Sequence, residues 1–380
     1  MKLSKEETIQ YKRHLSLPGF GPEAQIKLKR ASVLVVGAGG LGCPALQYLV
    51  AAGVGKIGIM DDDLVEVSNL QRQVLYTHED IGRPKAEAAS RLLSKLNPYV
   101  EITPYPKRLT RENAQDAFES YSIVLDGTDS FGSRYLINDA CVLFDKILIY
   151  GAIHQFEGQV SVFNLDGGPT YRCLFPDPPP VGTVPNCADI GVVGVLPGII
   201  GSMQALETIK VITQTGDSLS GKLLLFDALG NTTRTLALSS SPKSREISEL
   251  PEEADFCTAP AAQPDGAITE IEPVELEKMM KENSDLLLLD VREDWERELI
   301  RIEPSTHCPV GEFSKPGGPI LPPEFMPERE LAVYCKAGVR SMTACKALEA
   351  MGYEKLYNLS GGMIRWSEDV GGMPRDRLVL

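Results

Sequence analysis

SVLVVGAGGLG, residues 32–42, is the stretch on which the fold turns. A β-rich run, Ser32–Val36, passes directly into Gly37-Ala-Gly39-Gly40-Leu-Gly42 and then into a helix-like stretch. Glycines at this spacing permit a tight turn and let backbone N–H groups approach a phosphate at the N-terminus of the following helix. Alone, the motif also fits a plain strand-to-helix turn. Outward from it, β-rich runs at KIGIM (56–60), SIVLD (122–126) and ILIY (147–150) alternate with helix-like sequence such as PKAEAASRLLSKL (84–96). That alternation predicts an α/β, Rossmann-like domain with a mostly parallel sheet. QVSVF (159–163) and KLLLF (222–226) lie nearer loop-rich sequence and are expected as antiparallel additions.

Asp61 ends the second strand, 19 residues beyond Gly42, where a carboxylate can accept hydrogen bonds from a ribose. This much would serve a dinucleotide equally well, and a solvated loop is a rival reading for at least two of Asp61, Asp62 and Asp63. SNLQRQ (68–73) and GRPK (82–85) then bring Asn69, Arg72, Gln73 and Lys85 behind the acidic strand end. An arginine fork and a lysine point charge suit phosphate oxygens and stabilise charge developing on a pyrophosphate leaving group, whereas hydride transfer requires neither. For Arg72 and Lys85 the bland alternative is a charged helix face. SIVLD leads into GTDSFGSRYLIND (127–139), where Asp129 stands at a strand's C-terminal end, placed either to serve Mg²⁺ or to cap the next helix.

The chain has 380 residues, enough for two or three domains, and 38 basic against 52 acidic side chains give a net charge of −14. That balance, with no basic run, argues against a nucleic-acid backbone or an anionic membrane surface as partner. MKLSKEETIQYKRHL at the N-terminus lacks an apolar signal core, and the longest apolar stretch, GVVGVLPGIIG (191–201), is short and interrupted. A soluble, cytoplasmic protein is expected. Its eight cysteines are scattered, so reduced thiols are the default. His14, His78, His154 and His307 form no helix-spaced metal pair, and Cys43, Cys141 and Cys345, with Trp295 and Trp366, read as core. Around residues 239–268 hydrophobic periodicity lapses into Pro, Ser, Glu and Ala, which divides the chain into domains at 1–240 and 268–380 joined by a linker at 241–267.

In the second domain LAVYCKAGVRS places Cys335 at the end of a short apolar strand. A loop wrapped around one cysteine turns its N–H groups inward and, with Arg340, would make an electropositive nest that stabilises an anion. Cys335, Lys336, Ala337, Gly338, Val339 and Arg340 make a tighter ring than the cradle that surrounds a phosphate in Cys-dependent phosphatases, and this size suits a persulfide sulfur better. A buried strand-end cysteine without chemistry is the alternative. Cys308, in RIEPSTHCPVGEF (301–313), reads as a buried thiol and not as a catalyst.

Together GAGGLG, the acidic strand end before SNLQRQ, GRPK and GTDS resemble, over residues 8–238, the adenylyltransferases that activate ubiquitin-like sulfur carriers, relatives of ubiquitin-activating enzymes. LLLLDVRED (286–294), the cysteine loop and YNLSGGMIRW (357–366) follow one another as in rhodanese domains, a small α/β fold. The resemblance implies ATP bound by Gly37, Gly39, Gly40 and Gly42, with Asp61 on the ribose, Asn69, Arg72, Gln73 and Lys85 at the phosphates, and Asp129 serving Mg²⁺. YKRHLSLPGFG (11–21) is similar to a segment that crosses a homodimer, which would make Arg13 a finger on the neighbour's ATP. Adenylation of a carrier's C-terminal Gly-Gly would precede sulfur transfer from a Cys335 persulfide, charged by a cysteine desulfurase or another donor such as thiosulfate. Cys187, in the Pro- and Gly-rich stretch 177–191, would help release the thiocarboxylate. The product would feed molybdopterin synthesis, tRNA thiolation or a related pathway. Many relatives hold zinc with two Cys-x-x-Cys pairs, but here those positions are Thr170, Cys173, Ser241 and Ser244, so no zinc is expected. A nicotinamide-dependent oxidoreductase and a noncatalytic carrier scaffold stand as the alternatives.

Overall fold

The computed structural model describes residues 2–178, 191–251, 268–315 and 317–370. Cys187 and residues 252–267 of the expected linker lie outside them. Two compact units result, one from the described residues up to 251 and one from those from 268 onward.

The first unit is built on eight strands: β1 (Ser32–Val36), β2 (Lys56–Met60), β3 (Glu101–Tyr105), β4 (Ile123–Asp126), β5 (Ile147–His154), β6 (Glu157–Phe163), β7 (Lys222–Asp227) and β8 (Thr232–Ala237). They lie in the order β3-β2-β1-β4-β5-β6-β7-β8. The first five in that order are parallel, and β6, β7 and β8 add antiparallel, as QVSVF and KLLLF suggested. Along β1 the pleat sends Val33 and Val35 into one core with Leu46 and Leu49, and Leu34 and Val36 into another with Phe118 and Tyr135. A strand apolar on both faces is what a parallel sheet covered on both sides demands. The order reverses between β1 and β4, so the loops leaving their C-terminal ends diverge around a crevice.

The helix Val195–Thr213 is long and apolar enough to cross a membrane by length and composition. Here it packs on β5 and β6, and Leu196, Ile200 and Ala205 are buried in the unit's own cores. Past β8, residues 242–250, read from composition as linker, lie against the first unit. Arg245 Nη1 donates to Asn164 Oδ1 at 2.8 Å, and Leu250 joins the core around Phe118.

The second unit carries a five-stranded parallel sheet of β9 (Ile268–Ile271), β10 (Leu287–Asp290), β11 (Thr306–His307), β12 (Leu331–Tyr334) and β13 (Leu356–Leu359), ordered β11-β10-β12-β13-β9. Trp366 is buried beneath it, as expected, but Trp295 is 53% exposed and does not pack in the core. The reason is local. On the short helix Asp294–Leu299 the buried position is taken by Glu296, which turns its neighbour Trp295 outward.

Candidate functional site

The glycine loop is held by contacts that only glycine allows. Gly37 has φ +93°, its N–H donates to Met60 O at 2.8 Å, and a Cβ on Gly42 would lie 1.9 Å from Gly37 O. A Cβ on Gly37 itself would meet Gly127 C at 2.7 Å, so the loop after β1 and the loop after β4 touch backbone to backbone. Asp61 fixes the turn: Oδ2 accepts Ala38 N–H at 2.7 Å and Oδ1 accepts Asp63 N–H at 2.9 Å. Burial pushes its carboxyl up, against the opposing pull of the Lys85 charge and those two N–H groups. Each oxygen keeps a second lone pair for a ribose hydroxyl. Tyr76, which the sequence reading passed over, donates its hydroxyl to Ala38 O at 2.8 Å from the other side.

The cations sit behind this turn. Lys85 opens the helix Lys85–Leu96 and is 5% exposed; its Nζ meets Asp63 Oδ2 at 2.6 Å, although the Asp63 side chain is 67% exposed. Arg72 donates from Nη1 to Ser68 O at 3.1 Å, within its own loop. Gln73 is 3% exposed, and its Oε1 has no hydrogen-bond partner among the described residues. Asn69 serves the loop itself, its Oδ1 accepting Glu66 N–H at 3.2 Å.

Asp129 is exposed at the mouth of the β4 loop. The cap of the helix Phe131–Leu143 is Ser130, whose Oγ accepts Ser133 N–H at 3.2 Å, so the capping alternative falls to Ser130 and leaves the Asp129 carboxylate uncommitted to it. Asp126, just inside, is fully buried. Burial pushes its carboxyl up, and it accepts Thr128 N–H at 2.9 Å and Thr128 Oγ1–H at 2.6 Å. Arg13 is exposed on the helix Lys12–Leu15.

The four positions compared with a zinc site do converge, around one sulfur. Cys173 Sγ accepts Thr170 N–H and Ser241 N–H, each at 3.3 Å, and lies 3.0 Å from Ser244 Oγ. Burial raises this thiol, but the Ser244 hydroxyl and the two N–H groups outweigh it and hold it below the ordinary thiol value. One sulfur with hydroxyls is a poor zinc set.

In the second unit Cys335 directly follows β12 and is 1% exposed. Its Sγ accepts Gly338 N–H at 3.1 Å and Ser341 Oγ–H at 3.3 Å. Gly338 has φ +93° and is the last residue before the helix Val339–Ala350, so Val339 and Arg340 form that helix's first turn. The sulfur therefore faces a helix N-terminus, which favours negative charge. The Gly361-Gly362 turn grips the loop from below: Met363 N–H donates to Cys335 O at 2.9 Å and Ile364 N–H to Lys336 O at 3.1 Å.

Arg340 differs from its expected role. Nη1 and Nη2 donate to Glu296 Oε2 at 2.6 Å and Oε1 at 2.7 Å, a two-pronged pair with a carboxylate 6% exposed. Burial would raise Glu296, but the Arg340 hydrogen bonds, the Glu293 N–H and the Arg340 and Arg292 charges hold it below the ordinary carboxyl value. The sulfur is met by the Gly338 N–H and the Ser341 hydroxyl, while the guanidinium pairs with Glu296. Glu296, Ser341 and Asn358 were missed from sequence; only Ser341, one turn of helix past Gly338, carried a local signal. Cys308 and Cys345 are buried, and burial pushes both thiols up, so neither offers a ready thiolate.

Residues 11–247 match the ThiF family, and residues 272–369 match the rhodanese-like domain. The chain is 42% identical to the probable adenylyltransferase/sulfurtransferase MoeZ of Mycobacterium tuberculosis, over 97% of this chain and 95% of that protein. It is 39% identical to the adenylyltransferase and sulfurtransferase MOCS3 of Aedes aegypti, over 97% and 89%. To the sulfur carrier protein adenylyltransferase of Thermus thermophilus it is 54% identical, over 67% and 96%. Among solved structures, Escherichia coli MccB with MccA-N7isoASN superposes with a TM-score of 0.56 at 22% identity, over 63% of this chain and 74% of that one, a likeness of fold.

Proposed function

The chain belongs to the ThiF family and carries a rhodanese-like domain behind it, and from this premise we propose that it adenylates the C-terminal glycine of a ubiquitin-like sulfur carrier and delivers sulfur to it from Cys335. It is an adenylyltransferase and sulfurtransferase, and the oxidoreductase and scaffold alternatives find no support among its relatives. The observation that carries the reading is the Gly37–Gly127 cradle, closed to any Cβ, beside a buried Lys85 whose partner Asp63 is open to solvent. The Gly37–Gly127 contact holds together the two loops that leave the C-terminal ends of adjacent parallel strands, the place where open α/β sheets take their ligands.

In this reading the glycine loop and Asp61 seat ATP, while Arg72 and Lys85 move from their present partners onto the phosphates, with Asn69 and Gln73 shaping that loop. Asp129, an exposed hard-oxygen donor beside the cradle, would hold Mg²⁺, which supplies charge neutralisation at the leaving pyrophosphate. The carrier carboxylate, ionised at neutral pH, attacks the α-phosphorus; pyrophosphate departs and an acyl-adenylate remains. The terminal sulfur of a Cys335 persulfide then attacks the acyl carbon and AMP leaves, giving an acyl-disulfide. A second thiol, Cys187 by resemblance, cleaves it at the Cys335 sulfur; the thiocarboxylate leaves and the resulting disulfide is reset by an external thiol. Arg13 completes the site from a second copy of the chain. The sulfur donor is a persulfide-bearing enzyme such as a cysteine desulfurase, or thiosulfate. The proposed setting is the cytoplasm, where the six described free thiols would stay reduced.

The test is magnesium-dependent exchange of labelled pyrophosphate into ATP, with a folded carrier ending in Gly-Gly and the same carrier lacking those residues. Exchange that requires the intact tail is expected; no exchange with any carrier, together with no ATP binding, would sink the proposal.

A further inference from the structure

We propose that Asn358 is the positioning residue of the sulfur loop, holding Gly338 so that its N–H stays aimed at the Cys335 sulfur; the inference rests on the sulfurtransferase reading above. Asn358 lies on β13 between apolar core positions and is 2% exposed. Its Nδ2 donates to Gly338 O at 3.1 Å and to Glu270 Oε1 at 2.9 Å. Glu270 stands directly opposite, on the exposed edge strand β9. With two acceptor oxygens on one side, the amide can present only its NH₂ end there, because the flipped rotamer would set Oδ1 against both. Its Oδ1 is left buried with no hydrogen-bond partner among the described residues. An unmet buried carbonyl is destabilising, and a leucine of similar volume would fill the site without that penalty. Packing therefore does not account for the amide; its bond to Gly338 does.

Gly338 is the residue through which the effect reaches sulfur. Its N–H donates to Cys335 Sγ at 3.1 Å, while its carbonyl accepts from Asn358 and from Met342 N at 3.2 Å and lies 3.0 Å from Ser341 Oγ, whose one hydrogen goes either to it or to the sulfur. Only Asn358, among these donors, comes from outside the helix that Gly338 caps. The bond from Asn358 pins the carbonyl side of Gly338 to β13 and so restrains the residue whose preceding peptide unit carries the N–H that meets the sulfur. The N–H matters when the sulfur is negative, as a thiolate attacking a donor or as a persulfide anion attacking an acyl carbon. In the loading step the Cys335 thiolate attacks the outer sulfur of a persulfide R–S–SH. A new S–S bond forms, the donor's S–S bond breaks with its electron pair going to R–S⁻, and Cys335–S–SH keeps the proton.

The full chain, mixed with glutathione persulfide and quenched at intervals, reports Cys335 persulfide by peptide mass spectrometry. Asn358→Leu is expected to lower the limiting rate about tenfold, the effect of weakening one hydrogen bond to a charged sulfur. The half-saturating probe concentration, the melting temperature and pyrophosphate exchange should stay as in wild type. Glu270→Leu, at an exposed position that puts folding at little risk, removes the acceptor that orients the amide and should lower the rate about threefold. Glu270→Gln keeps an acceptor and should react like wild type. Unchanged limiting rates in Asn358→Leu and Glu270→Leu would overturn the proposal, and so would an equal fall in Glu270→Leu and Glu270→Gln, which would make charge the cause. Should Asn358→Leu fail to fold, the two Glu270 variants decide the matter. A wild-type chain that forms no persulfide on Cys335 would instead defeat the sulfurtransferase reading.

Discussion

The glycine loop of the first unit and the cysteine loop of the second are built alike and charged differently. Each follows a buried strand, turns on a glycine at φ +93°, Gly37 or Gly338, and feeds a helix. In the first, the cations rest on partners that a ligand can replace: Lys85 on the solvent-exposed Asp63, and Arg72 on a backbone oxygen of its own loop. In the second, Arg340 is bound through both nitrogens to the buried Glu296, and Arg292 to the buried Asp290 at 2.7 Å. The Lys85 pair is buried on the lysine side only, and its exposed Asp63 can turn to solvent when another anion takes its place, as the proposed triphosphate would; a buried, two-pronged pair does not exchange so readily. The lesson is that one turn geometry serves two chemistries according to whether its charges are lent or locked. The proposed ATP site keeps cations on replaceable partners, whereas the Cys335 sulfur is sheltered and met by the Gly338 N–H and the Ser341 hydroxyl.

The contrast would break first at Lys85. Lys85→Met is expected to reduce pyrophosphate exchange by about a hundredfold or more, the usual scale for losing a charge-stabilising donor at a transferring group, while persulfide loading of Cys335 is unchanged. Equal loss in both assays would mean that the two sites are not separable. Next comes the locked pair. Glu296→Gln should destabilise the second unit by about 3 kcal/mol at neutral pH, the low end for breaking a buried pair because the amide keeps one hydrogen bond, read from chemical denaturation. Because the folded carboxyl lies below its ordinary value of 4.5, its contribution is fully present above that value and is lost as pH falls through the lowered folded value. The gap between variant and wild type should therefore close in acid, and a gap independent of pH would deny the pair. The smallest effect belongs to Asp63→Asn, which keeps an oxygen for Lys85 and should leave exchange within about threefold of wild type. A fall as large as that of Lys85→Met would show Asp63 to be more than a resting partner.

Central strands were legible in the sequence and edge strands were not. SVLVV and KIGIM coincide with β1 and β2, because strands buried on both faces are nearly continuous apolar runs. β3 and β8 escaped notice since they are the two edges of the first sheet: β3 carries Pro104 and is only half-buried, and every residue of β8 is exposed. Around the glycine loop the local spacing was informative about position, because Gly37 and Asp61 directly follow β1 and β2. At the sulfur loop it misled about Arg340, since Glu296 lies 44 positions away in sequence and only the fold brings the two together. Asn358, 20 positions from Gly338, was hidden for the same reason.

The central claim is that two separable sites act in sequence on one carrier. Purified chain, ATP, magnesium, a sulfur donor and a carrier ending in Gly-Gly should yield a carrier whose intact mass shows one oxygen exchanged for sulfur. Cys335→Ala should sustain tail-dependent pyrophosphate exchange at the wild-type rate and yield no thiocarboxylate. Thiocarboxylate formed by Cys335→Ala at the wild-type rate, or exchange lost with the cysteine, would contradict the account.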